Sequence, residues 1–138
     1  MRRREDLRSV LYVDDQPDIR EVVELSLSLA PGLAVQLCES GERALAILAV
    51  SKPDLVLLDA MMPGMDGPTT LQRLRQEPRL ANVPVIFMTA KALPQEIRRF
   101  HELGAAGVIP KPFDPMKLAE NLYAIWEGLA DGDTKQAE

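Results

Sequence analysis

Five short apolar runs alternate along the chain with segments in which apolar residues recur every three or four positions. Apolar runs of four to six residues, with polar or turn residues at both ends, are typical of strands buried on both faces. The spacing in the intervening segments is typical of amphipathic helices. The sequence therefore predicts five strands, at 10–13, 33–38, 54–58, 85–89 and 107–110.

Capping residues and prolines mark the start of five predicted helices. The helices begin at Pro17, Ser40, Asp66 or Gly67, Pro94 and the pair Asp114-Pro115. Strands that alternate with helices predict an α/β fold, a five-stranded parallel sheet that is doubly wound with helices on both faces. The alternation by itself leaves the strand order open.

Length and composition predict one soluble globular domain. The 138 residues predict a single domain over 7–129, with flexible termini at 1–6 and 130–138. A net charge of −5 argues against direct nucleic-acid binding. No apolar run suits a membrane span or a signal peptide, so we expect a cytoplasmic protein without a membrane partner. Cys38 and His101 each occur alone, which excludes an intramolecular disulfide and the common zinc motifs.

Polar side chains stand where four of the five predicted strands end. Asp14 and Asp15 follow the first strand, Asp59 follows the third, Thr89 ends the fourth and Lys111 follows the fifth. The carboxyl ends of parallel strands share one rim, where such folds bind ligands. We therefore expect three carboxylates, one hydroxyl and one ammonium group to meet at this rim.

Each of these residues also has a simpler structural interpretation, as a helix cap, a turn residue, a strand threonine or a solvated lysine. These structural interpretations do not explain why three carboxylates lie at one rim, because neighbouring carboxylates repel each other by about 1 to 4 kcal/mol per close pair. A hard cation such as Mg²⁺ would offset that repulsion and leave room for a phosphoryl oxygen. With Lys111 and Thr89 beside it, one carboxylate can accept a phosphoryl group, and Asp59 is the candidate because it stands alone on its strand end.

Four motifs in this order resemble the receiver domain of two-component response regulators. They are VDD at 13–15, LVLLDAMMPGMDG at 55–67, MTAK at 88–91 and PKPF at 110–113. The resemblance covers roughly 7–129, and it identifies the chain as similar to a stand-alone receiver domain. It implies the strand order 2-1-3-4-5 and a cis peptide bond between Lys111 and Pro112.

The resemblance also implies the roles of the rim residues. Asp59 would be the phosphoacceptor, assisted by Lys111 and Thr89. Mg²⁺, or Mn²⁺ in its place, would be held by Asp14, Asp15, Asp59 and the backbone carbonyl of Met61.

A signalling function follows from the same resemblance. The phosphoryl donor would be a sensor histidine kinase or a histidine phosphotransfer protein. Phosphorylation would draw Thr89 inward and change the surface offered to a downstream protein target. The protein would be no enzyme beyond promoting its own phosphorylation and slow autodephosphorylation.

One position departs from the family pattern. Many receivers carry Tyr or Phe three residues before the lysine, where this chain has Val108. We therefore expect signalling to rely on backbone shifts in the loop after Thr89 and not on an aromatic rotamer. Met61 and Lys91, two residues beyond Asp59 and Thr89, occupy positions that in this family tune how fast water reaches the phosphate.

Three other functions stay open from the sequence. A phosphatase of the haloacid dehalogenase type would need an acid two residues after Asp59, where this chain has Met61. An adaptor with the same fold would work without phosphorylation. The chain could also be the N-terminal receiver part of a longer regulator with a separate output domain.

The last predicted helix carries apolar and aromatic residues beside its core stripe. Met116, Ala119, Tyr123 and Trp126 lie at helical spacing. They indicate either a broad core face or a partner surface, such as a homodimer interface on the fourth helix, fifth strand and fifth helix.

Overall fold

A computed structural model of the chain describes residues 2–129. Its five strands are β1 (Ser9–Val13), β2 (Ala34–Cys38), β3 (Leu55–Asp59), β4 (Val85–Thr89) and β5 (Gly107–Pro110). Its five α-helices are α1 (Pro17–Ser28), α2 (Gly41–Leu48), α3 (Gly67–Arg75), α4 (Pro94–Glu102) and α5 (Leu118–Glu127). Short 3₁₀ helices lie at Arg4–Asp6 and Pro78–Leu80. The predicted α/β architecture is confirmed.

The five strands form one parallel sheet in the order β2-β1-β3-β4-β5. β1 and β3 pair through Val10 with Leu55 and Val13 with Leu58, and β3 continues to β4 through Asp59 and Met88. The order 2-1-3-4-5 implied by the resemblance is confirmed. Because β1, β3 and β4 are neighbours, the residues at their carboxyl ends are brought together at one place on the rim.

Two apolar layers cover the sheet, one on each face, as a doubly wound fold requires. The layer under α2, α3 and α4 is built around Leu11, Leu58, Leu71 and Phe87. The layer under α1 and α5 is built around Tyr12, Leu57, Leu122 and Trp126. Every residue of β3 is buried, so the backbone of the central strand has little freedom and its last residue, Asp59, is held in place.

Of the three helix starts predicted from a capping side chain, two are confirmed, those of α2 and α3. Ser40 accepts a hydrogen bond from the Arg43 amide, and Asp66 accepts one from the Thr69 amide. The prediction for α5 is wrong by three residues. The Asp114 carboxylate accepts from the Met116 amide, so it closes a separate turn, and the helix itself begins at Leu118.

The N-terminal segment contacts α5 through all three of its arginines. Trp126 Nε1 donates to the Arg3 carbonyl at 2.7 Å, and the Arg4 guanidinium lies 4.7 Å from the centre of the Tyr123 ring. The rings of Tyr123 and Trp126 are buried, so these two residues belong to a broad core face, as the first of the two sequence interpretations held. Met116 does not, because it precedes α5 and is 77% exposed. The predicted flexibility of the termini stays a prediction, and residues 130–138 lie outside the described residues.

Among residues 2–129, no helix combines the length and the apolar character that crossing a membrane requires.

Candidate functional site

The rim at the carboxyl ends of β1, β3, β4 and β5 gathers all five predicted side chains. Asp14, Asp59 and Thr89 are buried, whereas Asp15 is partly buried. The Lys111 side chain is 16% exposed. These groups come from loops and strand ends that are far apart in sequence, and only the parallel sheet brings them to one edge.

Lys111 is the cation at the centre of the acidic group. Its Nζ lies 3.1 Å from Asp14 Oδ2 and 3.3 Å from Asp59 Oδ1. The peptide bond between Lys111 and Pro112 is cis, as the resemblance implied. The Lys111 amide also donates to the Thr89 carbonyl at 2.8 Å, which ties the end of β5 to the end of β4. The ammonium group is thus placed between two carboxylates from different strands.

Asp14 accepts hydrogen bonds on both carboxylate oxygens. Oδ1 accepts from the Gln16 amide at 2.9 Å. Oδ2 accepts from the Tyr12 hydroxyl at 2.5 Å and from Lys111. Arg20 donates to the Asp14 backbone carbonyl at 2.7 Å. A buried carboxylate needs such partners, since an unpaired one would be very costly.

The acidity of Asp59 is shifted by its surroundings at the rim. Burial raises the pKa of its carboxyl group, and the Asp14 charge raises it further, whereas Lys111 acts in the opposite direction. Desolvation and a like charge are the two physical causes that disfavour an ionised acid. The ionised form of Asp59 is therefore less favourable than that of an exposed aspartate, and a further cation nearby would stabilise it.

The loop after β3 approaches the rim closely at Gly67. A Cβ at this position would lie 2.6 Å from the Asp59 carbonyl oxygen and 2.8 Å from Ala60 Cα. Only glycine allows the start of α3 to pack this near the strand end. The Met61 amide faces Asp59 Oδ1 at 3.4 Å, while the Met61 side chain is exposed.

Thr89 ends β4 with its hydroxyl turned toward the following loop. Its Oγ1 accepts a hydrogen bond from the Lys91 amide at 3.0 Å. A threonine hydroxyl can accept one bond and donate another, so its proton remains available to a ligand oxygen. The Lys91 side chain is exposed.

The acids fit a site for a hard divalent cation. Asp14, Asp15 and Asp59 each offer one oxygen, and these three oxygens lie within 4.8 Å of one another. Within residues 2–129, the Asp15 carboxylate has no hydrogen-bond or ion-pair partner. Carboxylate oxygens are ligands that Mg²⁺ prefers in proteins, and the Asp15 carboxylate is free to turn toward such an ion.

Two residues at this rim were not recognised from the sequence. Tyr12 was assigned to a buried strand, yet its hydroxyl reaches Asp14 two residues later. Side chains at positions i and i+2 of a strand lie on the same face, so the pair could have been predicted. Arg20 gives no comparable signal, because its bond goes to a backbone carbonyl.

A family model for the response regulator receiver domain matches residues 10–123. Among curated proteins, the phosphate regulon transcriptional regulatory protein PhoB of Pseudomonas aeruginosa is 34% identical over 128 residues. That match covers 93% of this chain and 56% of PhoB. Response regulator Rre1 of Synechocystis is also 34% identical, over 94% of this chain and 58% of its own length. The chain thus spans little more than half the length of these curated relatives.

Solved structures show the same similarity. The chemotaxis response regulator CheY4 of Vibrio cholerae superimposes with a TM-score of 0.80 at 29% identity, over 86% of this chain and 98% of that one. A response regulator structure from Chloroflexus aurantiacus gives a TM-score of 0.79 at 33% identity, over 87% and 98%.

Proposed function

Because the chain belongs to the receiver domain family of two-component response regulators, we propose that it is phosphorylated on Asp59 and thereby switches a signalling surface. The observation that carries the proposal is the position of Lys111, whose ammonium group lies between Asp14 and Asp59. A buried carboxylate is suited to receive a phosphoryl group when a cation beside it can stabilise the charge of the incoming phosphoryl oxygens.

The reaction is a transfer between two nucleophiles. An Asp59 carboxylate oxygen attacks the phosphorus of a phosphorylated histidine, so that a new O–P bond forms while the P–N bond breaks. The released imidazole takes up a proton from solvent, and Asp59 becomes an acyl phosphate. The donor would be a sensor histidine kinase or a histidine phosphotransfer protein.

Two side chains of this chain, and a cation that it would hold, would stabilise the charge that the phosphoryl group brings. Lys111 contributes an ammonium group within reach of Asp59. The Thr89 hydroxyl would donate a hydrogen bond to a phosphoryl oxygen. Asp14, Asp15, Asp59 and the Met61 carbonyl would hold Mg²⁺, which when bound would neutralise phosphoryl oxygens; Mn²⁺ has the same ligand preference.

Movement of Thr89 would carry the signal to α4 and the loop that precedes it. Val108 is partly buried and packs against the apolar layer on the α4 face of the sheet. It has no ring that could change between two positions. We therefore expect the backbone from 89 to 104 to differ between the free and the phosphorylated chain. Backbone chemical shifts that agree throughout this segment in both forms would contradict that expectation.

The downstream partner is proposed to be a protein. Two of the curated relatives are transcriptional regulators, and the match covers only 56% and 48% of their lengths. A function as the receiver part of a longer regulator is therefore an equally acceptable form of the proposal. A homodimer through α4, β5 and α5 and a cytoplasmic location stay predictions. We further propose that the chain has no catalytic activity beyond its own phosphorylation and slow autodephosphorylation.

Beryllofluoride, which mimics a phosphoryl group on a carboxylate, tests the proposal. Together with Mg²⁺ it should raise the melting temperature of the wild-type chain and leave Asp59→Asn unaffected. Glu120→Gln, which removes an exposed carboxylate on α5, is the matched control and should respond as the wild type does. A wild type without any response would favour the adaptor that works without phosphorylation.

A further inference from the structure

The Tyr12 hydroxyl is a buried rim group to which the proposed phosphoryl transfer gives no role. Tyr12 has no exposed surface, and its hydroxyl donates to Asp14 Oδ2 at 2.5 Å. Its ring packs in the apolar layer under α1 and α5. A tyrosine in such a layer needs a hydrogen-bond partner for its hydroxyl, and here that partner is the charged acid of the site.

Asp14 Oδ2 has two donors within residues 2–129, and they differ in mobility. One is Tyr12, whose ring is fixed in the core. The other is Lys111, whose ammonium group also faces Asp59. A lysine side chain is flexible and a buried tyrosine ring is not, so only the lysine can change partners.

Phosphorylation of Asp59 would require that change of partner. Lys111 has to turn toward the phosphoryl oxygens, and Asp14 Oδ2 then loses one of its two donors. Asp14 is fully buried, so an oxygen left with neither a hydrogen-bond donor nor a cation would cost the full desolvation penalty. Tyr12 removes that cost because its hydroxyl stays on the same oxygen throughout.

We propose that Tyr12 is a positioning residue whose hydroxyl holds Asp14 in place and so releases Lys111 to the phosphoryl group. The proposal rests on phosphorylation of Asp59, which it deepens. Tyr12 acts through Lys111 and Asp14, so it does not need to touch the phosphoryl group itself.

Tyr12→Phe tests the proposal because it removes the hydroxyl and keeps the ring. Beryllofluoride is titrated at saturating Mg²⁺, and the half-saturation concentration is read from the NMR signals of backbone amides at the rim. We expect an increase of about tenfold in Tyr12→Phe, the scale of one hydrogen bond to a charged group. Tyr123→Phe is the matched control, since Tyr123 is the only other tyrosine and lies on α5. It should bind beryllofluoride as the wild type does.

A purely structural role for Tyr12 would give a different result. Tyr12→Phe would then melt at a lower temperature but bind beryllofluoride with the wild-type half-saturation concentration, and this outcome overturns the proposal. A wild type that does not bind beryllofluoride overturns the phosphorylation of Asp59 and this proposal with it. A wild type that binds, together with an unchanged Tyr12→Phe, overturns only the role of Tyr12.

Fluorine labelling covers the case in which Tyr12→Phe does not fold. The wild-type chain labelled with 3-fluorotyrosine has two ¹⁹F signals, and the labelled Tyr123→Phe chain assigns the signal of Tyr12. Beryllofluoride with Mg²⁺ should shift the Tyr12 signal, because its hydroxyl becomes the sole donor to Asp14 Oδ2, and should leave the Tyr123 signal in place. A Tyr12 signal that does not move in a chain that binds beryllofluoride overturns the proposal.

Discussion

Two clusters in this chain each contain one cation and two carboxylates, and they differ chiefly in burial. The rim cluster consists of Lys111, Asp14 and Asp59. The α5 cluster consists of Arg4, Glu120 and Glu127. Its hydrogen bonds are as short, with Arg4 Nε at 3.0 Å from Glu127 Oε2 and Arg4 Nη1 at 3.1 Å from Glu120 Oε2. Contact distances alone therefore do not separate the two.

Exposure separates them clearly. The side chains of Lys111, Asp14 and Asp59 are 16%, 0% and 7% exposed. Those of Arg4, Glu120 and Glu127 are 43%, 67% and 36% exposed. Water screens the charges of the α5 cluster, so they carry little desolvation penalty and contribute little to the stability of the fold. The rim cluster carries a desolvation penalty that a merely structural ion pair seldom repays, which is a reason to assign it a function.

Removal of the rim cation should have the largest effect. Lys111→Met leaves Asp14 and Asp59 as neighbouring buried acids without their shared cation, and we expect a loss of about 2 to 4 kcal/mol in the free energy of unfolding. Urea denaturation at neutral pH measures it. Arg4→Met, the same kind of change in the α5 cluster, is the control. Equal losses in the two variants would remove the distinction between the clusters.

Mg²⁺ should stabilise the chain through the rim cluster alone. At ten times its dissociation constant, a ligand of the folded state adds about 1.4 kcal/mol to the free energy of unfolding. Thermal melts with increasing Mg²⁺ should show this for the wild type and much less for Asp15→Asn. Glu127→Gln should keep the full response, and a loss of the response there would place the binding site on α5.

Asp59→Asn should stabilise the chain at neutral pH, by roughly 3 °C in melting temperature, because it removes a buried charge that Asp14 repels. The pKa of the Asp59 carboxyl is raised in the folded chain. Its ionisation therefore costs stability as pH rises through that raised value, and the cost is absent below the ordinary pKa of about 3.9. The gain should be largest at neutral pH and vanish in acid. A stability gain of Asp59→Asn that grows toward acid pH would contradict a raised pKa of Asp59 in the folded chain.

Disruption of the α5 cluster should have the smallest effect. Arg4→Gln removes both ion pairs, yet we expect the melting temperature to fall by no more than about 2 °C. The response to Mg²⁺ and beryllofluoride should be unchanged. A shift as large as that of Lys111→Met would show that exposure is a poor guide to what these charges contribute.

The two clusters also show what the sequence could and could not predict. The rim was predictable because a parallel sheet brings all strand ends to one edge, so Asp14, Asp59 and Lys111 follow from the strand assignments alone. The α5 cluster was not predictable, because Arg4 pairs with residues 116 and 123 positions away and no periodic signal links them.

An acid before a predicted helix marked the helix start correctly for α3 but not for α5. Asp66 caps α3 as predicted, because its carboxylate reaches the Thr69 amide three residues later. Asp114 accepts from the Met116 amide two residues later, which forms a turn before α5 instead of the helix itself. The two patterns look alike in sequence, since a proline follows each acid within two residues.

Phosphoryl incorporation is the most direct test of the central claim. The chain is incubated with acetyl phosphate and Mg²⁺, and intact mass with peptide mapping reports how many phosphoryl groups are added and where. We predict one phosphoryl group, on Asp59, that requires Mg²⁺ and is absent from Asp59→Asn. A wild-type chain that gains no mass, or that carries the group on another residue, would contradict the account.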